Sequence, residues 1–175
     1  MLVVSTLAAT LLGACTSSPS AVKAAQTLSV PTSDIPVAAS RVAAGCGSTP
    51  IMRGPIPKWL VDASGDNYPA DVPWVISSPP IAGGFLFTYP LVAPANGRGS
   101  KILWAMRLPR NGTDLTIDAH PGGSSSPDLH FVHGAGSGPG EIYPDGAELP
   151  SPGCWHFTLL WAGHRATLDL QYRAA

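Results

Sequence analysis

Five histidines are the residues of this chain whose chemistry could most readily make a site: His120, His130, His133, His156 and His164. Neutral imidazole suits zinc or copper and can serve as a general base. If residues 129–133 form a strand, however, His130 and His133 differ in parity and face opposite sides of it. His120 stands before Pro121-Gly122-Gly123 and His164 follows Ala162-Gly163, so both read as solvated turn residues. The spacing therefore assigns no metal, and no cofactor is expected.

Nucleophile patterns are equally incomplete. Ser137 lies in the glycine-rich run 134–140, but a nucleophile elbow needs glycine two residues to either side, where this chain has Ala135 and Pro139. A phosphate-binding loop needs a Lys-Ser/Thr pair and a following helix, and neither is present. The run reads as a flexible loop between strands. Asp62, Asp66 and Asp71 cluster without the ligand alternation or terminal glutamate of a calcium loop, and form a polar turn. No catalytic residue is assigned. Trp59, Trp74, Tyr68 and Tyr89 lie in proline-flanked sequence, where exposed rings would stack on sugars or pack on a protein partner. Trp104, Trp155 and Trp161 fall in alternating segments and belong to a core.

Composition narrows the classes of function. Ten Lys and Arg against eleven Asp and Glu leave a net charge of −1, which excludes a polybasic nucleic-acid binder. Charged residues are only 12% of the chain, and Gly and Pro contribute 19 residues each, giving a turn-rich domain with a weakly charged surface.

The amino terminus carries the most specific signal. Residues 1–14 hold no charged side chain and are too short to cross a bilayer, as befits the apolar region of a secretory signal. They end in Leu12-Gly13-Ala14-Cys15, which resembles the lipobox of bacterial lipoproteins. The segment departs from the usual signal in having only the α-amino group, and no basic side chain, ahead of its apolar run. The resemblance implies that Cys15 receives a diacylglyceryl thioether and becomes the mature N-terminus. The partner so implied is the lipid bilayer, and the location is the extracytoplasmic face of the cell membrane. Residues 15–45, rich in Ser, Ala and Pro and without an aromatic residue, read as a flexible tether, with at most a marginal helix at 21–28. With Cys15 lipidated, Cys46 and Cys154 remain in an oxidising compartment, where a disulfide is expected; the other reading is two buried thiols.

Residues 46–175 read as strands. Trp155, Phe157, Leu159 and Trp161 share one parity, and residues 165–172 alternate strictly, so 154–172 predicts a β-hairpin. A second hairpin is expected from 101–108 and 113–119 across Asn111-Gly112. Further strands are expected at 72–77, 85–92 and 129–133, and no segment after residue 46 shows a sustained helical period. Six or seven short strands separated by Gly/Pro turns predict an all-β chain forming a single immunoglobulin-like β-sandwich.

The segments SKILWAMRLPRNGTDLTIDAHP (100–121) and LPSPGCWHFTLLWAGHRATLDLQY (149–172) resemble a group of uncharacterised secreted lipoproteins of actinobacteria. The resemblance implies a β-sandwich on a lipid tether and no activity. The expected function is a membrane-anchored, non-catalytic binding or structural domain meeting an envelope protein or cell-wall polymer. The alternatives are an envelope hydrolase or metal-dependent protein using some of the histidines, and a small-ligand carrier with an apolar pocket between its sheets.

Overall fold

Alternating apolar side chains need a second apolar surface to cover them, and in this chain two sheets cover each other. A computed structural model describes residues 39–43, 46–65, 68–94, 100–124 and 129–175. The expected signal segment, Cys15, the marginal helix at 21–28, Asp66 and Asn67 lie outside the described residues. One sheet has six strands, β1 (Ser40–Ala43), β2 (Ile51–Arg53), β3 (Trp74–Ile76), β4 (Ala82–Leu86), β6 (Lys101–Met106) and β9 (Ile142–Gly146), adjacent in that order. The other has five: β5 (Val92–Ala93), β11 (His164–Ala174), β10 (Gly153–Trp161), β7 (Leu115–Pro121) and β8 (Leu129–His133), again in spatial order. The chain is thus the all-β sandwich its sequence predicts.

The C-terminal hairpin forms as expected. β10 and β11 pair in register from Gly153↔Tyr172 to Trp161↔His164 without a bulge. The connection is the dipeptide Ala162-Gly163, with φ of 45° and 79°, the positive values that match the twist of a tight hairpin. Inward residues Trp155, Phe157, Leu159 and Trp161 meet Trp104, Met106 and Tyr143 of the six-stranded sheet in one core.

The expected second hairpin does not form. β6 pairs with β4 and β9, whereas β7 pairs with β10 and β8. Residues 109–112 therefore carry the chain from one sheet to the other, with Asn111 and Gly112 at positive φ. The cause is visible in β6 itself, where every residue from Ile102 to Met106 is buried. Such a strand belongs in the interior of a sheet covered on both faces, flanked by strands on each side.

The second covering layer is a helix that no sequence period announces, α1 (Lys58–Ser64). Leu60 of α1, with Met52, Trp74, Phe85, Leu103 and Ile142, forms a separate apolar cluster on the outer face of the six-stranded sheet. Gly83 permits this contact: a Cβ there would lie 2.8 Å from Leu60 Cδ1 and 3.1 Å from the Val75 carbonyl. Gly83→Ala should therefore push α1 off the sheet and cost about 1–3 kcal/mol. Gly136→Ala, where a Cβ meets nothing within 4 Å, should leave the urea midpoint unchanged. Equal midpoints for the two variants would show that Gly83 is not closely packed under the helix.

β1 lies within the span expected as tether and pairs with β2. No helix among the described residues is long and apolar enough to cross a membrane.

Candidate functional site

Period-two alternation puts the polar residues of β7, β8, β10 and β11 on the outer face of the five-stranded sheet, and His120, His130 and His156 lie there. His120 is not a turn residue. It lies in β7 directly opposite His156 of β10, and their rings are 4.9 Å apart between centroids, tilted by 35°. His156 is in turn opposite Asp169 of β11, and its Nδ1 lies 2.7 Å from Asp169 Oδ1. One row of the sheet therefore reads His120, His156, Asp169.

A second pair sits beside it. His130 of β8 is opposite Asp118 of β7, with Nδ1 2.7 Å from the carboxylate. As parity predicts, His133 is turned to the other face: it pairs with buried Leu115, and β8 alternates between exposed and half-buried residues. His164 opens β11 and packs its ring against Trp161 at 5.4 Å. Among the described residues, no three His, Cys, Asp or Glu side chains are grouped so as to hold one metal ion.

The row is held in place by the turn that follows β1. Asp169 Oδ2 accepts the Ser48 backbone N–H at 3.2 Å, and the Asp169 N–H donates to Thr49 Oγ1 at 2.9 Å. Gly47 in this turn has φ of 59°, and a Cβ there would fall 2.0 Å from Asp169 Oδ2, so only glycine lets the turn lie against the carboxylate. Cys46 starts the turn and is placed in disulfide geometry with Cys154 of β10, Cα atoms 5.4 Å apart. The turn also lines a groove of about 380 Å³ with Ser48, Thr49 and Pro50, which face Ile76, Ser77 and Pro80.

A second polar cluster lies where the chain crosses between sheets. Arg110, 8% exposed, donates from Nη1 to the Ile142 carbonyl and from Nη2 to the Gly138 carbonyl at 3.2 Å. Its own N–H donates to Glu141 Oε2 at 2.7 Å, and its guanidinium lies 4.5 Å from the Tyr143 ring centroid. The Tyr143 hydroxyl donates to the Thr113 carbonyl at 2.6 Å. Burial pushes the Tyr143 phenol above its ordinary pKa, and the Arg110 cation works against that shift. The glycine-rich run read as a flexible loop contains a short 3-10 turn, Ala135–Ser137. Arg110 holds it at Gly138, and Asp114 Oδ1 accepts the Ala135 N–H at 2.8 Å.

The aromatic residues expected to be exposed are largely absorbed into packing. Trp74 is fully buried in β3, Tyr68 stacks on Phe85 at 4.9 Å, and Trp59 of α1 lies under the Arg107 guanidinium. Tyr89 is the exception in part, lining a groove of about 200 Å³ with Arg53, Asp71 and Phe87. Asp62 belongs to α1 rather than to a turn and bonds Lys58 one helical turn before it. Of the residues in these two clusters, sequence reasoning misses Arg110 and the alignment of His120 with His156. The equal parity of His120 and Asp118, with β7 continuing to Pro121, is the available signal for the latter.

Comparison of this chain with protein-family models, curated proteins and solved structures yields no match.

Proposed function

We propose that this chain is an exported lipoprotein, anchored by a lipid on Cys15, whose β-sandwich is a non-catalytic binding or structural module facing an envelope protein or a cell-wall polymer. The observation that carries the reading is the fate of the cysteines. Cys46 and Cys154 occupy each other in the domain, which leaves Cys15, within Leu12-Gly13-Ala14-Cys15, as the remaining thiol of the three. A disulfide-compatible pair suits an oxidising compartment, and an odd cysteine at the end of a signal-like segment is where a lipid is added. The sparse charge of the chain supports contact with a neutral polymer or a protein surface over contact with nucleic acid.

The test is Cys15→Ser expressed in a bacterial host with a lipoprotein pathway. The native chain should partition with membranes and begin at a diacylglyceryl-modified Cys15 in its mass spectrum. The variant should lose both the lipid mass and membrane retention. Mature protein from the Cys15→Ser gene that stays membrane-bound, or a native chain without the lipid mass, would overturn the proposal.

A further inference from the structure

We propose that His120 and His156 form a surface site for a divalent first-row transition ion, bound through their two Nε2 atoms and completed by solvent, with Asp169 as the positioning residue. The first condition is set by the acceptors on the other side of each ring. His156 Nδ1 contacts the Asp169 carboxylate at 2.7 Å, and His120 Nδ1 contacts the Pro121 carbonyl at 3.1 Å. Neither a carboxylate nor a carbonyl has a proton to give, so each Nδ1 must be the N–H donor and each neutral ring carries its lone pair on Nε2. A ring nitrogen held by a carboxylate or a backbone carbonyl, with the other left as ligand, is the arrangement found around metal-bound histidines. It fixes the tautomer and the ring orientation before any ion arrives.

Separation is the second condition. A metal–nitrogen bond of about 2.0–2.1 Å puts each imidazole centroid roughly 3.2 Å from the ion, so two rings meeting at 90–110° have centroids about 4.5–5.2 Å apart. The observed 4.9 Å lies within that range. The Asp169 contact holds Nδ1 of His156 on the β11 side, and His120 stands opposite on the β7 side. The His156 side chain is 30% exposed, so an ion and its waters have access.

Two protein ligands are fewer than the three or four of catalytic and structural zinc sites. The site is therefore an exchangeable one at the surface, and the order of stabilities for nitrogen ligands makes Cu²⁺ its tightest occupant. It requires neither the lipid anchor nor the proposed binding partner.

The experiment titrates the full chain, solubilised in detergent, with Cu²⁺ and reads affinity by calorimetry and ligand type by electron paramagnetic resonance. The native chain should bind one equivalent with hyperfine splitting from two imidazole nitrogens. His120→Asn and His156→Asn should each abolish that two-nitrogen signal. In His156→Asn the side-chain amide can still donate to Asp169, so the sheet is preserved and circular dichroism should match the native chain. Asp169→Asn should retain the two-nitrogen signal with affinity reduced about 10–100-fold, because an amide oxygen is a weaker acceptor for the His156 N–H than a carboxylate. His164→Asn, at the far end of the hairpin, should bind as the native chain does. A two-nitrogen signal that survives in both His120→Asn and His156→Asn, or that disappears only in His130→Asn, would overturn the assignment.

Discussion

In urea, the Cys46→Ala/Cys154→Ala double variant should be less stable than the native chain by up to about 4–5 kcal/mol, the value for closing a loop of this size in the chain-entropy account. The two cysteines are 108 residues apart, so the crosslink encloses most of the domain and strongly restricts the unfolded ensemble. The measured loss should fall below that ceiling, because a denatured chain keeps residual structure and the crosslink restricts it less than an ideal coil, while the native turn stays tied to β11 without sulfur. The Ser48 N–H and Thr49 Oγ1 both bond Asp169, and Gly122 N–H donates to the Cys154 carbonyl at 2.7 Å. Circular dichroism should accordingly stay β-rich at low urea while the midpoint falls. Treating the native chain with dithiothreitol should reproduce the shift, and the double variant should not respond to it. If native and variant midpoints coincide under oxidising conditions, the crosslink is not made. A second consequence reaches the histidine row: with the turn released, the backbone donor that steadies Asp169 is weakened, and Cu²⁺ affinity should fall in the double variant as well.

What the sequence reveals, and what it conceals, follows from how many faces of each strand are covered. β10 and β11 have one face in the core and a more open second face, so their alternation shows and the hairpin is legible, although His164, expected in the turn, opens β11. The same rule places His130 and His133 on opposite faces. β6 has two covered faces, and the run Ile102-Leu103-Trp104-Ala105-Met106 carries no alternation to say which partner it takes. Its proximity to Asn111-Gly112 then favours a hairpin with β7, although an unbroken apolar run is itself the mark of a strand buried on both sides. The helix that covers β6 has seven residues, too few for a period to stand out. Gly83 and Gly84 carry no sequence signal of their role, which is to admit Leu60 and Trp104 where a side chain would collide. His120 is hidden by the Pro-Gly-Gly that follows it; a terminal proline is compatible with a strand that ends there, and Pro121 pairs with Trp155.

Arg110→Ala should cost about 3 kcal/mol or more, and the reason is backbone satisfaction rather than charge pairing. The Glu141 carboxylate lies 4.0 Å from Arg110 Nε and its side chain is 41% exposed, so that ion pair contributes well under about 1 kcal/mol. The buried Ile142 carbonyl and the half-buried Gly138 carbonyl instead lose a guanidinium donor, at about 1–3 kcal/mol for the buried group and less for the half-buried one, and the Tyr143 ring loses the packing of the guanidinium. Those two bonds join the inter-sheet crossing to β9 and to the loop after Ala135–Ser137, so their loss should also raise hydrogen exchange across residues 134–142. Arg110→Lys should recover only part of the stability, because one ammonium cannot present the planar fork that reaches both carbonyls. Glu141→Gln, which keeps an acceptor for the Arg110 N–H, should be nearly neutral; an effect as large as that of Arg110→Ala would show that the ion pair, not the carbonyl bonding, holds the crossing. Tyr143 supplies an independent readout. Its phenol is already raised by burial, and removing the cation that opposes the shift should raise it further in an absorbance titration. Because the folded phenol ionises above the unfolded one, its contribution is fully present below about pH 10 and is lost as pH rises through the folded value. The native chain should therefore lose stability on that alkaline limb, and Arg110→Ala should lose it over a wider span of pH.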